Sequence, residues 1–237
     1  GRKAEKGSSF SAELKTGWDA LTGKKGILTL VVMGALITFC LGVIQTLASP
    51  MVLSFSDSAT LGTLMTVITL GMLVSSAVLG GISIQNGYAG LLSLSLFGAG
   101  IFMALFGLRE NVVFMGAAGF LFFAMLPFAN ASLDYLLRTN IENRLQGRAW
   151  GMIGLISQLG YVAAYAVSGL LADYVFTPLL LDGGPLSESI GKILGTGPGR
   201  GIGLLIILAG LLLCVTSGIL LCMKSIRSLE NGGLYEP

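Results

Sequence analysis

The chain has 237 residues, of which 54% are hydrophobic and 11% are charged, and its formal net charge is +2. Soluble domains carry roughly a quarter charged residues, so this composition excludes an ordinary soluble fold and favours one built in a lipid bilayer. The absence of histidine excludes histidine metal sites, Ser-His and Cys-His nucleophile pairs and histidine proton relays. The small net charge gives no indication of nucleic-acid binding.

Residues 1–25 form a polar, basic leader that is too long and too mixed for a signal peptide. Within it, Phe10, Leu14, Trp18 and Leu21 recur at helical spacing and define one apolar stripe. We interpret this stripe as an amphipathic helix on the cytoplasmic membrane surface rather than a solvated linker, because of its tryptophan. Since the chain does not begin with Met, we expect it to be part of a longer protein.

Six apolar runs follow, each near the length of about 20 residues that crosses a bilayer. Their approximate bounds are 27–49, 61–84, 88–108, 112–133, 149–176 and 202–223. We therefore predict an all-α polytopic membrane protein with a bundle over residues 26–224 and a tail over 225–237. The three cysteines lie in or beside these runs and match no metal motif, so we predict no disulfide, metal or cofactor.

The connections between runs are short, except for residues 177–200, which are rich in glycine and proline. Residues 195–201 of this loop read GTGPGRG and superficially resemble a phosphate-binding loop. They follow no strand, and Lys192 is followed by Ile193, so the phosphate-loop pattern fails. We interpret the segment as a flexible loop outside the membrane.

The distribution of positive charge predicts the orientation of the chain. Eleven of the 14 Lys and Arg residues fall on one side of the predicted bundle, in the leader, the 138–148 loop and the tail. Because short cytoplasmic loops are enriched in Lys and Arg, both termini and the 138–148 loop are predicted to be cytoplasmic. Residues 177–200 are then extracellular, and the predicted location is the cell membrane.

The second and fifth runs align without a gap when the chain is shifted by 89 positions. The matching residues are Gly62, Leu70, Gly71, Ala77, Val78 and Gly80 with Gly151, Leu159, Gly160, Ala166, Val167 and Gly169. Because the two runs are three helices apart, they cross the membrane in opposite directions. The pattern therefore predicts a 3+3 inverted repeat, as in many transporters.

Two segments of the sequence resemble a transporter family. Residues 143–148 read NRLQGR, and they precede Trp150 and a glycine-rich helix that ends in SGLLAD at residues 168–173. Together with the leader pattern around Phe10 and Trp18, they resemble major facilitator superfamily transporters, most closely the macrolide-efflux-like and siderophore-exporter-like permeases.

The resemblance covers the whole chain as helices seven to twelve, the C-terminal half of such a transporter. It implies alternating access, an N-terminal six-helix half as partner, an amphipathic small-molecule substrate, efflux and protons as the coupling ion. The chain departs from the family at the turn in residues 80–87, which keeps the glycines but carries no charge. Relatives often place a proline and an acid just before the Gly-Arg motif, where this chain has Glu142, Asn143 and Arg144.

Polar residues inside the predicted spans are candidates for the substrate cavity, since burying them in lipid is costly. Gln158, Tyr161 and Tyr165 share one face of the fifth span, which the resemblance places beside the central cavity. Gln45 on the first span and Asn130 on the fourth complete the set. The alternative is equally open: the tyrosines pack between helices, and the glutamine bonds a backbone carbonyl.

Charged residues near the cytoplasmic ends suggest a gate. Asp134 and Arg138 are four apart with the acid first, the favourable order for a helical ion pair. We expect this pair, together with Arg148, to help hold a cytoplasmic gate closed. No acid or base lies near the centre of any span. If the intact protein is a proton antiporter, the resemblance therefore implies that the proton carrier lies in the other half.

Two other functions remain open for a six-helix membrane protein. One is the permease subunit of an ATP-driven transporter, although the 138–148 loop is short for a helix that docks on an ATPase. The other is a non-transporting assembly protein built on a half-transporter. We do not expect an enzyme, because the sequence has neither histidine nor paired acids in mid-membrane.

Overall fold

The structure, a computed structural model, describes residues 10–23 and 25–232. All regular elements in this part of the chain are helical. The helices are α1 Phe10–Thr22, α2 Lys25–Leu53, α3 Ser58–Gly81, α4 Tyr88–Leu108, α5 Val112–Asn140, α6 Gln146–Leu171, α7 Thr177–Leu180, α8 Gly191–Leu194, α9 Pro198–Cys222 and α10 Lys224–Gly232. A π-helical turn, Ala172–Phe176, joins α6 to α7.

Six of these helical units are long and apolar enough to cross a membrane: α2, α3, α4, α5, the unit from α6 to the end of α7, and α9. The structure therefore confirms an all-helical fold in the described residues with six helical units of membrane-spanning length, which indicate a multi-pass membrane protein. Helices suit such apolar sequences because they satisfy their backbone hydrogen bonds internally, which lipid requires.

Short polar residues begin two of the spans. Asp57 accepts a hydrogen bond from the Thr60 backbone N–H at 2.8 Å and starts α3, and Asn111 accepts one from Phe114 at 3.0 Å and starts α5. The bond from Thr60 holds the pKa of Asp57 below its usual value. The cap therefore stabilises α3 while the carboxylate is ionised, and this stabilisation is lost as the pH falls through the lowered pKa.

The spans form a row in the order α3, α5, α4, α9, α2, α6, in which each contacts the next. Helices α3 and α6 end the row, and they are the least covered spans. In their apolar stretches only 22% and 17% of residues are buried, against 44–50% in the other four. The two end helices thus keep one face inside the bundle and leave the other free.

Glycines line the most extensive helix contact, between α4 and α9. A Cβ added at Gly100 would lie 2.6 Å from the Gly210 carbonyl oxygen, and one at Gly107 would lie 2.5 Å from the Gly203 carbonyl oxygen. These two contacts are seven residues, or about two helical turns, apart. Small residues at such spacing let two membrane helices pack backbone to backbone.

Successive spans run in opposite directions, so the loops between them lie alternately at the two ends of the bundle. The terminal end holds α1, α10 and the turns at residues 82–87 and 141–145, and the loop end holds the turns at 54–57 and 109–111 with residues 181–197. At the terminal end, α1 packs on the start of α6: a Cβ on Gly17 would approach the Arg148 carbonyl oxygen to 2.9 Å. Leu21 is buried and Trp18 is exposed, while the side chains of Phe10 and Leu14 lie outside the described residues.

The predicted tail contains a helix that folds back on the bundle. Ile226 and Leu229 of α10 are buried, and Asn140 Nδ2 donates to the Leu229 carbonyl oxygen at 2.9 Å. The Glu230 carboxylate accepts hydrogen bonds from the backbone N–H groups of Gly87 and, at 2.8 Å, Tyr88. Glu230 therefore brings a negative charge to the first turn of α4, at a turn that has no charge of its own.

The loop end differs from the sequence interpretation. The fifth span does not stop at Phe176 but continues through the π-helical turn to Leu180. Residues 195–201 are not a flexible loop throughout, because Pro198 begins α9 and Gly199 and Arg200 are buried in its first turn. Gly195 and Gly197 lead into this turn with positive φ angles, which glycine adopts without steric cost.

Candidate functional site

A groove of about 500 Å³ runs between α2, α5 and α6 near the terminal end. Its apolar walls include Ile37, Leu41 and Ile153. Its polar members are Thr38, Asn130, Asp134, Ser157 and Tyr161. The groove therefore offers hydrogen-bonding groups at intervals along an otherwise apolar surface, which suits an amphipathic ligand.

Thr38 and Gly160 fix the side of the groove where α2 crosses α6. Thr38 Oγ1 lies 2.9 Å from the carbonyl oxygens of both Ala35 and Ser157, so its hydroxyl proton ties the two helices together. A Cβ added at Gly160 would lie 2.3 Å from Thr38 Oγ1 and 2.4 Å from the Ala35 carbonyl oxygen. The groove wall therefore depends on glycine at position 160.

Beyond the groove, two predicted site residues meet across α2 and α6. Tyr165 Oη donates to Gln45 Oε1 at 3.0 Å, and the ring centroids of Tyr161 and Tyr165 are 6.0 Å apart. Tyr165 is 51% exposed, so its hydroxyl remains accessible while it holds the glutamine amide. Groove residue Tyr161 is thus adjacent to the Gln45–Tyr165 pair.

The structure brings four of the five cavity candidates together and leaves one apart. Asn130 and Tyr161 line the groove, and Gln45 and Tyr165 form the hydrogen bond beside it. Gln158 is exposed and lies outside the groove. Its neighbour Ser157 faces the groove, and successive residues on a helix are rotated by about 100°.

Sequence reasoning did not select Thr38, Trp150 and Ser157 as groove residues. A usable signal was present, since Trp150, Ser157 and Tyr161 follow helical spacing on α6, and Thr38 lies two turns before Gln45 on α2. Thr38 and Ser157 give only a weak polar signal in the sequence, because Ser and Thr side chains also bond their own helix backbone.

The predicted ion pair between Asp134 and Arg138 is formed. Arg138 Nη2 lies 3.2 Å from Asp134 Oδ2, and the two side chains are 63% and 47% exposed. Arg148 is also exposed, and within the described residues no ion pair joins it to either member. Asp134 and Arg138 therefore form an isolated surface pair, and their role in a gate stays a prediction.

A second, buried ion pair lies at the loop end. Arg200 is 3% exposed, and its Nε donates to Glu110 Oε1 at 2.7 Å. Arg200 Nη1 donates to the carbonyl oxygens of Leu194 at 2.8 Å and Leu108 at 3.3 Å. This arginine therefore joins α9 to the α4–α5 turn and to α8, a role that the sequence interpretation of a flexible loop had missed.

Among the described residues, no cluster of three or more Cys, Asp or Glu side chains is placed to hold a metal ion. Comparison of the chain with family models, with curated proteins and with solved structures returned no match.

Proposed function

We propose that this chain is the C-terminal six-helix bundle of a secondary active transporter of the major facilitator type. It exports amphipathic small molecules across the cell membrane by alternating access, together with an N-terminal six-helix bundle. The observation that carries this proposal is the free face left on each end helix of the row, α3 and α6.

The arrangement of helix pairs supports the inverted repeat. In a 3+3 repeat, α2, α3 and α4 correspond to α5, α6 and α9. When each helix is replaced by its counterpart, the α2–α6 contact becomes the α5–α3 contact. In the same way, the α4–α5 contact becomes the α9–α2 contact. The α4–α9 contact maps onto itself. All five main contacts of the row are thus preserved, as expected of two related three-helix units.

Matched glycines support the same relation. Gly71 and Gly160 are 89 positions apart, and both lie where a partner helix crosses. A Cβ at Gly71 would lie 2.1 Å from the Phe120 carbonyl oxygen of α5, and one at Gly160 would lie 2.4 Å from the Ala35 carbonyl oxygen of α2. Since α2 and α5 exchange in the repeat, the two glycines make equivalent contacts.

The other matched glycines face away from the bundle. Nothing lies within 4 Å of a Cβ built at Gly62, Gly80, Gly151 or Gly169. Each is nine residues from Gly71 or Gly160, which places it on the opposite face of the same helix. Apolar side chains can face lipid without penalty, but exposed glycines at regular spacing favour close approach of further helices.

The other transporter type fits these features less well. A permease driven by an ATPase needs a cytoplasmic coupling helix, and only residues 141–145 connect α5 to α6. The open groove on α2, α5 and α6, with its alternation of polar and apolar groups, supports a substrate path between two bundles instead.

The position of Tyr161 in the groove gives a direct test by transport. In the intact protein reconstituted in liposomes without ATP, we expect Tyr161→Ala to lower the efflux of amphipathic dyes such as ethidium about tenfold, the equivalent of 1.4 kcal/mol of lost interaction. Gln158→Ala, on the same helix but outside the groove, is the matched control and is expected to transport at the wild-type rate. Equal rates for both variants would contradict the proposed path.

A further inference from the structure

A small cavity of about 140 Å³ lies between α2, α3, α4 and α5, beyond the groove toward the loop end. Its inner wall is formed by Ile44, Ile68, Phe106 and Gly119, all of which are buried. Membrane bundles pack as densely as other protein interiors, so a void of this size leaves its lining atoms without partners. An apolar cavity of about 150 Å³ lined by Leu, Ile and Phe is known to stay dry and to bind benzene.

The mouth of the cavity is polar. Gln45 lines it and is exposed, and its Oε1 accepts the hydrogen bond from Tyr165 Oη. Because the Tyr165 proton is directed to Gln45, the oxygen of Tyr165 is left as an acceptor for a ligand O–H or N–H. The site therefore combines an apolar chamber with one hydrogen-bond acceptor beside its opening.

The cavity also lies next to the groove. Residues 34, 37, 38 and 41 of α2 line the groove, and residues 44, 45 and 48 line the cavity, all at helical spacing on one face. Tyr161 lies in the groove and is adjacent to Tyr165, which donates a hydrogen bond to Gln45 at the mouth of the cavity. A molecule in the groove can thus reach the cavity along a single face of α2.

From these features we propose that the cavity binds the single aromatic ring of a small amphipathic ligand that carries one donor group, such as a phenol or an aniline. The ring fills the chamber among Ile44, Ile68 and Phe106, and the ligand hydroxyl or amine donates to Tyr165 Oη. This inference rests on the proposed function in taking the ligand as a transported compound, and it names the part of the ligand that the cavity accepts: a single aryl ring with one donor group.

The test is a binding measurement that does not depend on transport. The full chain is prepared in lipid nanodiscs with ¹³C-methyl methionine and titrated with p-cresol and with toluene, which differ only in the hydroxyl. Met65 lines the cavity, and Met33, which is half-buried and lies outside the cavity, is the reference for non-specific partition of the ligands. We expect a saturable shift of the Met65 methyl signal with both ligands, tighter for p-cresol, and only a linear drift at Met33.

Two variants separate the contribution of the apolar chamber from that of the hydrogen-bond acceptor, Tyr165. Ala48→Leu fills the cavity from α2 and should abolish the saturable shift with both ligands, while the remaining methionine signals report that the fold is kept. Tyr165→Phe leaves the chamber intact. It should weaken the binding of p-cresol about three- to tenfold and leave the binding of toluene unchanged. Any of three results overturns the inference: a Met65 signal that drifts linearly as the Met33 signal does, a saturable Met65 shift that persists in Ala48→Leu, or an equal effect of Tyr165→Phe on the affinities of both ligands. Saturable binding with no effect of Tyr161→Ala on efflux would instead count against the proposed function alone.

Discussion

Alanine at Gly71 or at Gly160 is expected to lower the free energy of unfolding by about 3 kcal/mol, the upper part of the range for overpacked cores. The added Cβ would meet the Phe120 carbonyl oxygen at 2.1 Å in one case and the Ala35 carbonyl oxygen at 2.4 Å in the other. Both obstacles are backbone atoms, so the helices themselves must move apart. Unfolding in mixed micelles containing increasing SDS, followed by loss of helical circular dichroism, measures the effect.

Gly62→Ala and Gly151→Ala are the matched controls, because each lies on the same helix with open space around its Cβ. There alanine meets no obstacle and removes the conformational cost of glycine, so these variants are expected to be unchanged or more stable by up to about 1 kcal/mol. On each helix, two glycines nine residues apart are thus expected to differ in the effect of alanine on the free energy of unfolding, with a loss at one and no loss at the other. A similar loss at all four positions would contradict the packing described for α3 and α6.

The second large effect is expected at the buried ion pair of the loop end. Glu110→Ala leaves the guanidinium of Arg200 buried without its carboxylate, and this is expected to cost roughly 3 kcal/mol of unfolding free energy. We take the lower end of the range for broken buried pairs because Glu110 is 33% exposed. The same micelle unfolding measurement applies.

Asp134→Ala removes the acid of the exposed pair and provides the control for Glu110→Ala. Exposed pairs contribute roughly 0–1 kcal/mol, so this variant should unfold almost as the wild type does. The double variant Glu110→Ala with Arg200→Met should recover most of the lost stability, since neither charge then remains buried. If Glu110→Ala lowers the free energy of unfolding as little as Asp134→Ala does, then the buried Arg200 does not depend on Glu110.

Features that depend on local sequence were predictable. The six spans follow from long apolar runs, since lipid leaves the chain little alternative to helices. The Asp134–Arg138 pair follows from i, i+4 spacing on a single helix, and the structure forms it at 3.2 Å. The shift of 89 positions singled out Gly71 and Gly160, and helix geometry separates them from the outward-facing glycines.

Features that depend on chain segments meeting in space were not predictable. The Tyr165–Gln45 hydrogen bond joins residues 120 positions apart, and the Glu230–Tyr88 bond joins residues 142 apart. Nothing near Arg200 in the sequence indicates that it pairs with Glu110 across 90 positions. Helical spacing places Gln158 and Tyr161 on the same side of α6. It does not show that α2 covers only a narrow sector of that side, which leaves Gln158 outside the groove.

The central claim is that the free faces of α3 and α6 pack against a second bundle, and assembly measures this most directly. The chain and the proposed N-terminal six-helix bundle are expressed as two separate segments, and the complex is purified through a tag on one of them. We predict an equimolar complex in the wild type. Leucine at both Gly62 and Gly151 should reduce the complex at least tenfold while the unfolding of the chain alone stays the same. Full assembly of that double variant, or a chain that exports dyes without any partner, would contradict the account.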